Sequence, residues 1–206
     1  VNLAYLSCGF GIVVLDLDKK EIKDTYKIGD NGTFIVVNEI EIYHNKIYAA
    51  TKEGLYSASV NNNNLSAFQS WSKEAALPSG NFNTVAVVND LLYTNFDKTS
   101  ASNEDTLYVY NGSSWSKPSL GSYYSNSDIK DINVSYSELL ICLFGKAWVL
   151  SSDYTLTREI TKYSIAGMPD WATTARPMEF VEKNGDYWVA DSVFGYCSTS
   201  GYTVAT

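Results

Sequence analysis

The chain has 206 residues, 45% of them apolar and 18% charged, with a formal net charge of −8. That apolar share supports a buried core and argues against disorder. The acid excess, 23 Asp and Glu against 15 Lys and Arg, lacks the surplus of cations that nucleic acids and anionic lipids require. The longest apolar run, residues 139–144, is far below the roughly 20 residues of a membrane helix.

No basic segment followed by an apolar one opens the chain, so no signal peptide is read. The first unit is expected to hold three strands, Leu3–Ser7, Gly11–Leu17 and Glu21–Ile28. The second shows the full pattern. Asn38–Tyr43 alternates polar and apolar, the period of a half-buried strand. His44-Asn45 is a turn, and Lys46–Thr51 is nearly continuous in apolar residues, as a strand covered on both faces would be. Gly54 permits a second tight turn. Leu55–Val60 follows, then an Asn61–Asn64 loop and an outer strand over Leu65–Trp71. Trp71–Leu77 is read as one helical turn.

The third unit runs Asn83–Val88, Leu91–Phe96, Thr106–Tyr110 and Ser114–Lys117, with a polar insertion at Asp97–Asp105. The fourth runs Ile129–Ser135, Leu139–Leu143, Lys146–Ser151 and Thr155–Ile160. The fifth runs Met178–Glu182, Tyr187–Ala190, Gly195–Ser198 and Tyr202–Ala205.

These units repeat. Asn2–Ile12 aligns without a gap on Asn45–Leu55, and Tyr5, Tyr48, Tyr93, Ile141 and Trp188 are taken as equivalents. An independent landmark, Ser70-Trp71-Ser72-Lys73, returns as Ser114-Trp115-Ser116-Lys117. Four short strands about every 46 residues is the signature of a β-propeller blade. Helical repeats of similar period would need a 3.6-residue apolar stripe and fewer Tyr, Val, Ile and Thr. A β-sandwich leaves the even interval unexplained.

The fold class is therefore all-β: a propeller of four-stranded antiparallel blades, spanning 1–206, with blades near 1–30, 35–75, 82–118, 128–162 and 177–206. The first blade lacks an innermost strand. A seven-bladed ring at this period needs about 320 residues, so a partial ring of about four and a half blades is expected. Each end of such an arc bares an apolar blade face, which soluble proteins cover. The rest of a ring, a second copy or a partner chain would do so.

No Trp-Asp pair, no Gly-Gly pair and no complete sialidase-type Asp box occurs; the closest stretch to the last, Tyr108–Trp115, lacks its Ser and Asp. What recurs is a phrase seen as Ile47-Tyr48-Ala49-Ala50-Thr51 before Gly54-Leu55, and as Tyr187-Trp188-Val189-Ala190-Asp191 before Gly195-Tyr196. It resembles the short repeat of two-component-regulator-type propellers. Ala4–Ile12, Val13–Ile28 and Ile47–Tyr56 are more specific. They resemble the first propeller of the PorZ family, a surface component of type IX secretion in Bacteroidetes. The likeness is best over about residues 1–75. It implies a non-enzymatic binding or scaffold propeller outside the cytoplasm, at the cell surface, outer membrane or periplasm. The implied partners are secretion-complex proteins or a surface glycan. The alternative it permits is the ligand-sensing periplasmic propeller of a hybrid two-component regulator.

No residue is assigned a catalytic, cofactor or metal role. His44, the sole histidine, reads as a turn residue, since no nucleophile accompanies it. Asp16 and Asp18, two apart on one strand face and followed by Lys19, Lys20 and Lys23, read as a solvated hairpin tip rather than an acid–base pair. The acids of Asp97–Asp105 and of Asp128–Asp131 do not match a twelve-residue calcium loop. Cys8, Cys142 and Cys197, odd in number and far apart, read as small buried hydrophobes with their disulfide state open. Trp188 is expected in the core. Tyr123, Tyr124 and Trp171 fall in two long connections, Pro118–Asn126 and Ile165–Arg176, which are the expected contact surface, because loops on rigid scaffolds carry function.

Overall fold

The computed structural model describes residues 2–98, 105–120, 128–143, 146–164, 177–183, 186–191, 195–198 and 201–202. In the fifth sheet, side chains are described only at Asp186, Tyr187, Trp188 and Ala190. Among the described residues the regular structure is strand, interrupted by short 3-10 turns.

Five antiparallel sheets follow one another along the chain. The first holds β1 (Leu3–Cys8), β2 (Gly11–Asp16) and β3 (Glu21–Tyr26). The second holds β4 (Val37–Tyr43), β5 (Lys46–Thr51), β6 (Gly54–Ser59) and β7 (Ser72–Lys73). The third holds β8 (Phe82–Val88), β9 (Leu91–Phe96), β10 (Thr106–Tyr110) and β11 (Trp115–Ser116). The fourth holds β12 (Ile129–Ser135), β13 (Glu138–Leu143), β14 (Lys146–Leu150) and β15 (Leu156–Ile160). The fifth holds β16 (Pro177–Lys183), β17 (Asp186–Asp191), β18 (Gly195–Ser198) and β19 (Gly201–Tyr202). In each complete sheet the order in space is the order in sequence. β4, β8, β12 and β16 pack against one another in succession, while β1 meets β4 as β5 meets β8. The sheets are blades of a partial ring, and β1 occupies the second-strand position of its blade.

Turn chemistry sets the hairpins. His44 and Asn45 (φ 43° and 60°), then Asn89 and Asp90 (φ 51° and 57°), join the first two strands of their blades through consecutive left-handed residues. Such turns match the twist of the paired strands. Gly11 is required for a different reason: at φ 137° a β-carbon would stand 2.1 Å from the Tyr26 carbonyl oxygen.

Every innermost strand carries a β-bulge near its start, at Asn38, Asn83, Lys130 and Met178. In the second and third blades it aims two consecutive side chains at the next blade. Asn38 Nδ2 donates to the Phe82 carbonyl (2.7 Å), and Asn83 Nδ2 donates to the Ile129 carbonyl (2.6 Å). The following residue accepts. Glu39 Oε2 takes the Val85 N–H (2.8 Å) and the Thr84 hydroxyl (2.6 Å), and Thr84 Oγ1 takes the Ile132 N–H (3.3 Å). Inner-edge backbone groups that would otherwise be left to solvent are satisfied in this way by the preceding blade.

Apolar faces fill the space between blades. Ile12, Val14 and Tyr26 of the first meet Ile47, Ala49 and Tyr56 of the second. Tyr48, Ala50 and Leu55 of the second meet Phe82, Val85 and Leu92 of the third. Tyr93, Leu107 and Val109 of the third meet Ile132, Ile141 and Trp148 of the fourth. Leu140, Cys142 and Val149 of the fourth meet Tyr187 of the fifth. Alternate residues of one strand thus serve opposite neighbours, which explains the near-continuous apolar runs. The two ends of the arc are bare as expected: Leu6 is 43% exposed and Ile22 66% on the first blade, and Trp188 is 46% exposed on the fifth.

Five sequence expectations need correction. Trp188 is exposed because it sits on the face that Tyr48 turns to a following blade; its neighbour Tyr187 is the buried one. Register pairs Ser135 with Glu138 where Tyr43 pairs with Lys46, so Leu140, not Ile141, is the equivalent of Tyr48. The outer strand of the second blade is Ser72–Lys73 rather than Leu65–Trp71. There the Trp71 indole donates to the Leu65 carbonyl (2.8 Å) and a 3-10 turn forms at Phe68–Ser70, so the segment folds on itself. Trp71–Leu77 holds no helical turn: it carries β7 and then a hydrogen-bonded turn, Leu77 N to Glu74 O at 3.0 Å. The last predicted strand begins at Gly201; residues 203–206 lie outside the described residues.

Candidate functional site

The connection from the first blade to the second, residues 27–36, is the most distinctive described surface. It runs beside the β1–β2 turn, so both lie on the side of the arc where the innermost strands begin. Phe10 of that turn and Phe34 of the connection make an edge-to-face pair, 6.5 Å between centroids at 89°. Phe34 is 63% exposed, and the Lys27 ammonium stands 4.5 Å from its ring centre. Exposed aromatics held in fixed geometry beside a cation are the composition of interface anchors.

Next to this pair an open cleft of about 400 Å3 is lined by Gly29, Asp30, Asn31, Phe68, Gln69 and Trp71. Its floor is rigid. Asn31 takes φ 58° and Gly32 φ 74° in a 3-10 turn, with Gly32 packed on the Phe68 ring. Asp30 Oδ2 accepts from Lys73 Nζ and Oδ1 from the Tyr56 hydroxyl, each at 3.1 Å. The Lys73 and Tyr56 hydrogen bonds hold the Asp30 carboxyl below its ordinary range. Burial pushes the Tyr56 phenol up. The ion-paired carboxylate and the phenol hold this turn against the Lys73 strand.

The residues singled out from sequence fall elsewhere. His44 is indeed in a turn, stacked on Tyr43 at 3.9 Å, but its Nε2 also lies 2.9 Å from Asp90 Oδ1 of the next blade. Asp16 and Asp18 do not share a solvated strand face. Asp16 is buried at the end of β2 and its Oδ1 accepts from the N–H groups of Asp18 (3.1 Å) and Lys19 (3.0 Å), while Asp18 Oδ2 accepts from Asn2 N. The acid is spent on closing the turn. Asp105 is buried and ties the insertion to the third and fourth blades. Its Oδ1 accepts from Lys98 N (3.1 Å); its Oδ2 accepts from Asn95 Nδ2 (2.9 Å) and Ile129 N (2.8 Å). Asp97 accepts from Asn81, and Asp128 pairs with Lys130 at 2.7 Å. No group of three or more His, Cys, Asp or Glu is placed to hold a metal ion among the described residues. Cys142 is buried in the fourth blade, whereas Cys8 is only half-buried, on the bare first face. The Cys197 side chain, Tyr123, Tyr124, Trp171, residues 121–127 and residues 165–176 lie outside the described residues, so neither expected contact loop is placed in full.

Sequence reading passed over Phe10, Phe34 and Lys27. The available signal was a large apolar residue, Phe34, between Thr33 and Ile35 in a connection opened by Gly29-Asp30-Asn31-Gly32, where turn residues predominate.

This surface lies inside the stretch that carries the family likeness. Residues 1–72 match the family model of the PorZ N-terminal β-propeller domain, a type IX secretion domain. The chain is PorZ-like over its first blade and most of its second. Solved structures give the same fold along nearly the whole length. PorZ of Porphyromonas gingivalis, described as an essential bacterial surface component of the type IX secretion system, superposes with a TM-score of 0.63 at 18% identity. The match covers 96% of this chain and 23% of that one. The extracellular domain assigned to a one-component system of B. thetaiotaomicron gives 0.66 at 16% identity, covering 95% and 25%. One assigned to a hybrid two-component system of the same organism gives 0.64 at 14%, covering 95% and 25%. The chain therefore spans about a quarter of the length of PorZ and of these two sensors. No curated protein matches it in sequence.

Proposed function

We propose that the chain is a non-enzymatic, extracytoplasmic binding and scaffold propeller that assists type IX secretion at the bacterial surface, with a secretion-complex protein as partner. The observation that carries this reading is the coincidence of the PorZ match over residues 1–72 with the exposed Phe10–Phe34–Lys27 anchor. A propeller arc is stiff because each blade is packed and hydrogen-bonded to the next, so such an anchor is presented without an ordering cost. The likeness to extracellular sensor domains supports a second reading, a ligand-sensing propeller, in which the cleft beside Asp30 would be the receptor site.

Phe34→Ser separates binding from folding. The ring is mostly in water, so stability is expected to change by less than about 0.5 kcal/mol. The immobilised chain is expected to retain type IX components from a detergent extract of Bacteroidetes outer membranes, and the variant to lose at least about tenfold of that retention. Equal retention by both chains, or turnover of a glycoside panel by the wild type, contradicts the proposal.

A further inference from the structure

The edge of β1 away from β2 pairs with no described strand, and the contacts between blades show what fits it. β1 matches β5 residue for residue. Cys8 pairs with Gly11 as Thr51 pairs with Gly54, and the Asn2 and Asn45 carbonyls accept from the N–H groups of Leu17 and Val60, each at 2.9 Å. Successive residues of a strand bond to opposite sides. With Asn2 turned to β2, the amides and carbonyls of Leu3, Tyr5 and Ser7 turn to the open edge. Their equivalents in β5, Lys46, Tyr48 and Ala50, are paired with Tyr43, Glu41 and Glu39 of β4.

β4 has unfilled positions to match. Val37, Glu39 and Ile40 occupy the register of Phe82, Thr84 and Val85 in β8, and of Ile129, Asp131 and Ile132 in β12. Asn38 and Glu39 hold the Phe82 carbonyl and the Val85 N–H; Asn83 and Thr84 hold the Ile129 carbonyl and the Ile132 N–H. The Val37 carbonyl and the Ile40 N–H point the same way by register. Among the described residues no side chain reaches them, because the first blade has no innermost strand. The register position of the acceptor holds Glu39, Thr84, Asp131 and Glu179 in successive blades, and the next residue is Ile40, Val85, Ile132 and Phe180.

We propose that the β1 edge and the Val37–Ile40 segment together form an acceptor site for one extended strand of the same protein from outside residues 1–206, recognised by an Asp, Glu or Thr directly before a large apolar residue. The strand runs antiparallel to β1, with its acceptor across from Ser7 and its apolar residue across from Leu6. Main-chain bonds to Leu3, Tyr5 and Ser7 supply affinity that most sequences can make; the acceptor on the Ile40 N–H supplies the selection. The same protein is the source because each innermost strand of this chain meets that rule, and because the match to PorZ covers 23% of that chain, so the fold occurs within a much longer polypeptide. The innermost strands of a second copy are already paired within their own blades.

The probe is a synthetic peptide copying residues 36–43, added to the isotope-labelled chain, with amide exchange followed by nuclear magnetic resonance. Excess peptide is expected to slow exchange at Tyr5 and Ile40 of the chain by at least about tenfold. A peptide carrying Glu39→Ala is expected to bind more weakly and, at concentrations that still slow Tyr5, to leave Ile40 exchanging as in the chain alone. In the longer polypeptide both amides are expected to be slow with no peptide added. Exchange at Tyr5 and Ile40 that the peptide leaves unchanged overturns the proposal, as does equal protection of Ile40 by the two peptides. Tyr5 protection that grows with the concentration of the chain alone would put a second copy on the edge, and two fast amides in the longer polypeptide would put the donor on a partner. Either result overturns the assignment to the same protein.

Discussion

Replacing Phe82 by alanine is expected to lower the unfolding free energy by about 4 kcal/mol, the loss for an aromatic side chain whose site cannot collapse. Phe82 is fully buried at the start of the innermost strand of the third blade. Its ring meets Phe96 at 5.3 Å and Tyr108 at 6.4 Å, and it shares a cluster with Tyr48 and Leu77 of the preceding blade and its connection. Its backbone carbonyl is the acceptor for Asn38, so the residue is fixed from both sides and the surroundings cannot close over the cavity. Ile22→Ser is the contrast. Ile22 lies on the bare face of the first blade, and its loss is expected to cost less than about 0.5 kcal/mol. Urea titrations of both variants check the pair, and equal losses would mean that the blades are not stacked as described.

Asp105→Ala is expected to cost about 3 kcal/mol, because it orphans the N–H of Ile129 and the amide of Asn95 in a buried setting, at about 1–3 kcal/mol for each such group. Asp105→Asn keeps an acceptor for both donors and is expected to cost much less. The two variants also differ in their pH dependence from the wild type. Burial, the largest influence, raises the Asp105 carboxyl above its ordinary value, against the hydrogen bonds from Asn95, Ile129 and Lys98. A raised acid binds more protons folded than unfolded, so its contribution falls as pH rises from the ordinary carboxylate value of 3.8 through the folded value. Both variants lose that slope. Wild-type stability that rises over the same interval relative to Asp105→Asn would contradict the assignment.

Much of the architecture was legible because a propeller writes its period twice. The second strands repeat as apolar runs, and the Ser-Trp-Ser-Lys phrase repeats in the outer strands. The structure places Trp71 and Trp115 in matching registers, with Ser72 and Ser116 paired to Ser57 and Val109 of the third strands. Errors arose where alternation was ambiguous. In Leu139–Leu143 every residue is apolar, so nothing in the sequence separates the face turned to one blade from the face turned to the other, and the alignment slipped from Leu140 to Ile141. Trp188 was misread for a related reason: its burial depends on a following blade rather than on its own strand.

The candidate surface was less legible. Asp16 and Asp105 look like solvated acids in sequence, and only tertiary contact shows them spent on backbone amides. The inter-blade clasp was hidden because its sequence mark is not a fixed residue. Asn38 and Asn83 carry it, but Lys130 and Met178 occupy the same bulge. Phe10 and Phe34 come from separate loops that meet only when the first two blades stack. His44 gains its Asp90 and Gly112 neighbours when the second and third blades stack.

Hydrogen exchange at Val85 tests that stacking most directly. If each blade satisfies the inner edge of the next, the Val85 amide is protected in the wild type. Glu39→Ala should then speed its exchange by at least about tenfold while leaving Ile129, whose N–H is held by Asp105, unchanged. A Val85 amide that exchanges like an open strand edge in the wild type, or one indifferent to the loss of Glu39, would show that the sheets are not joined around a common axis.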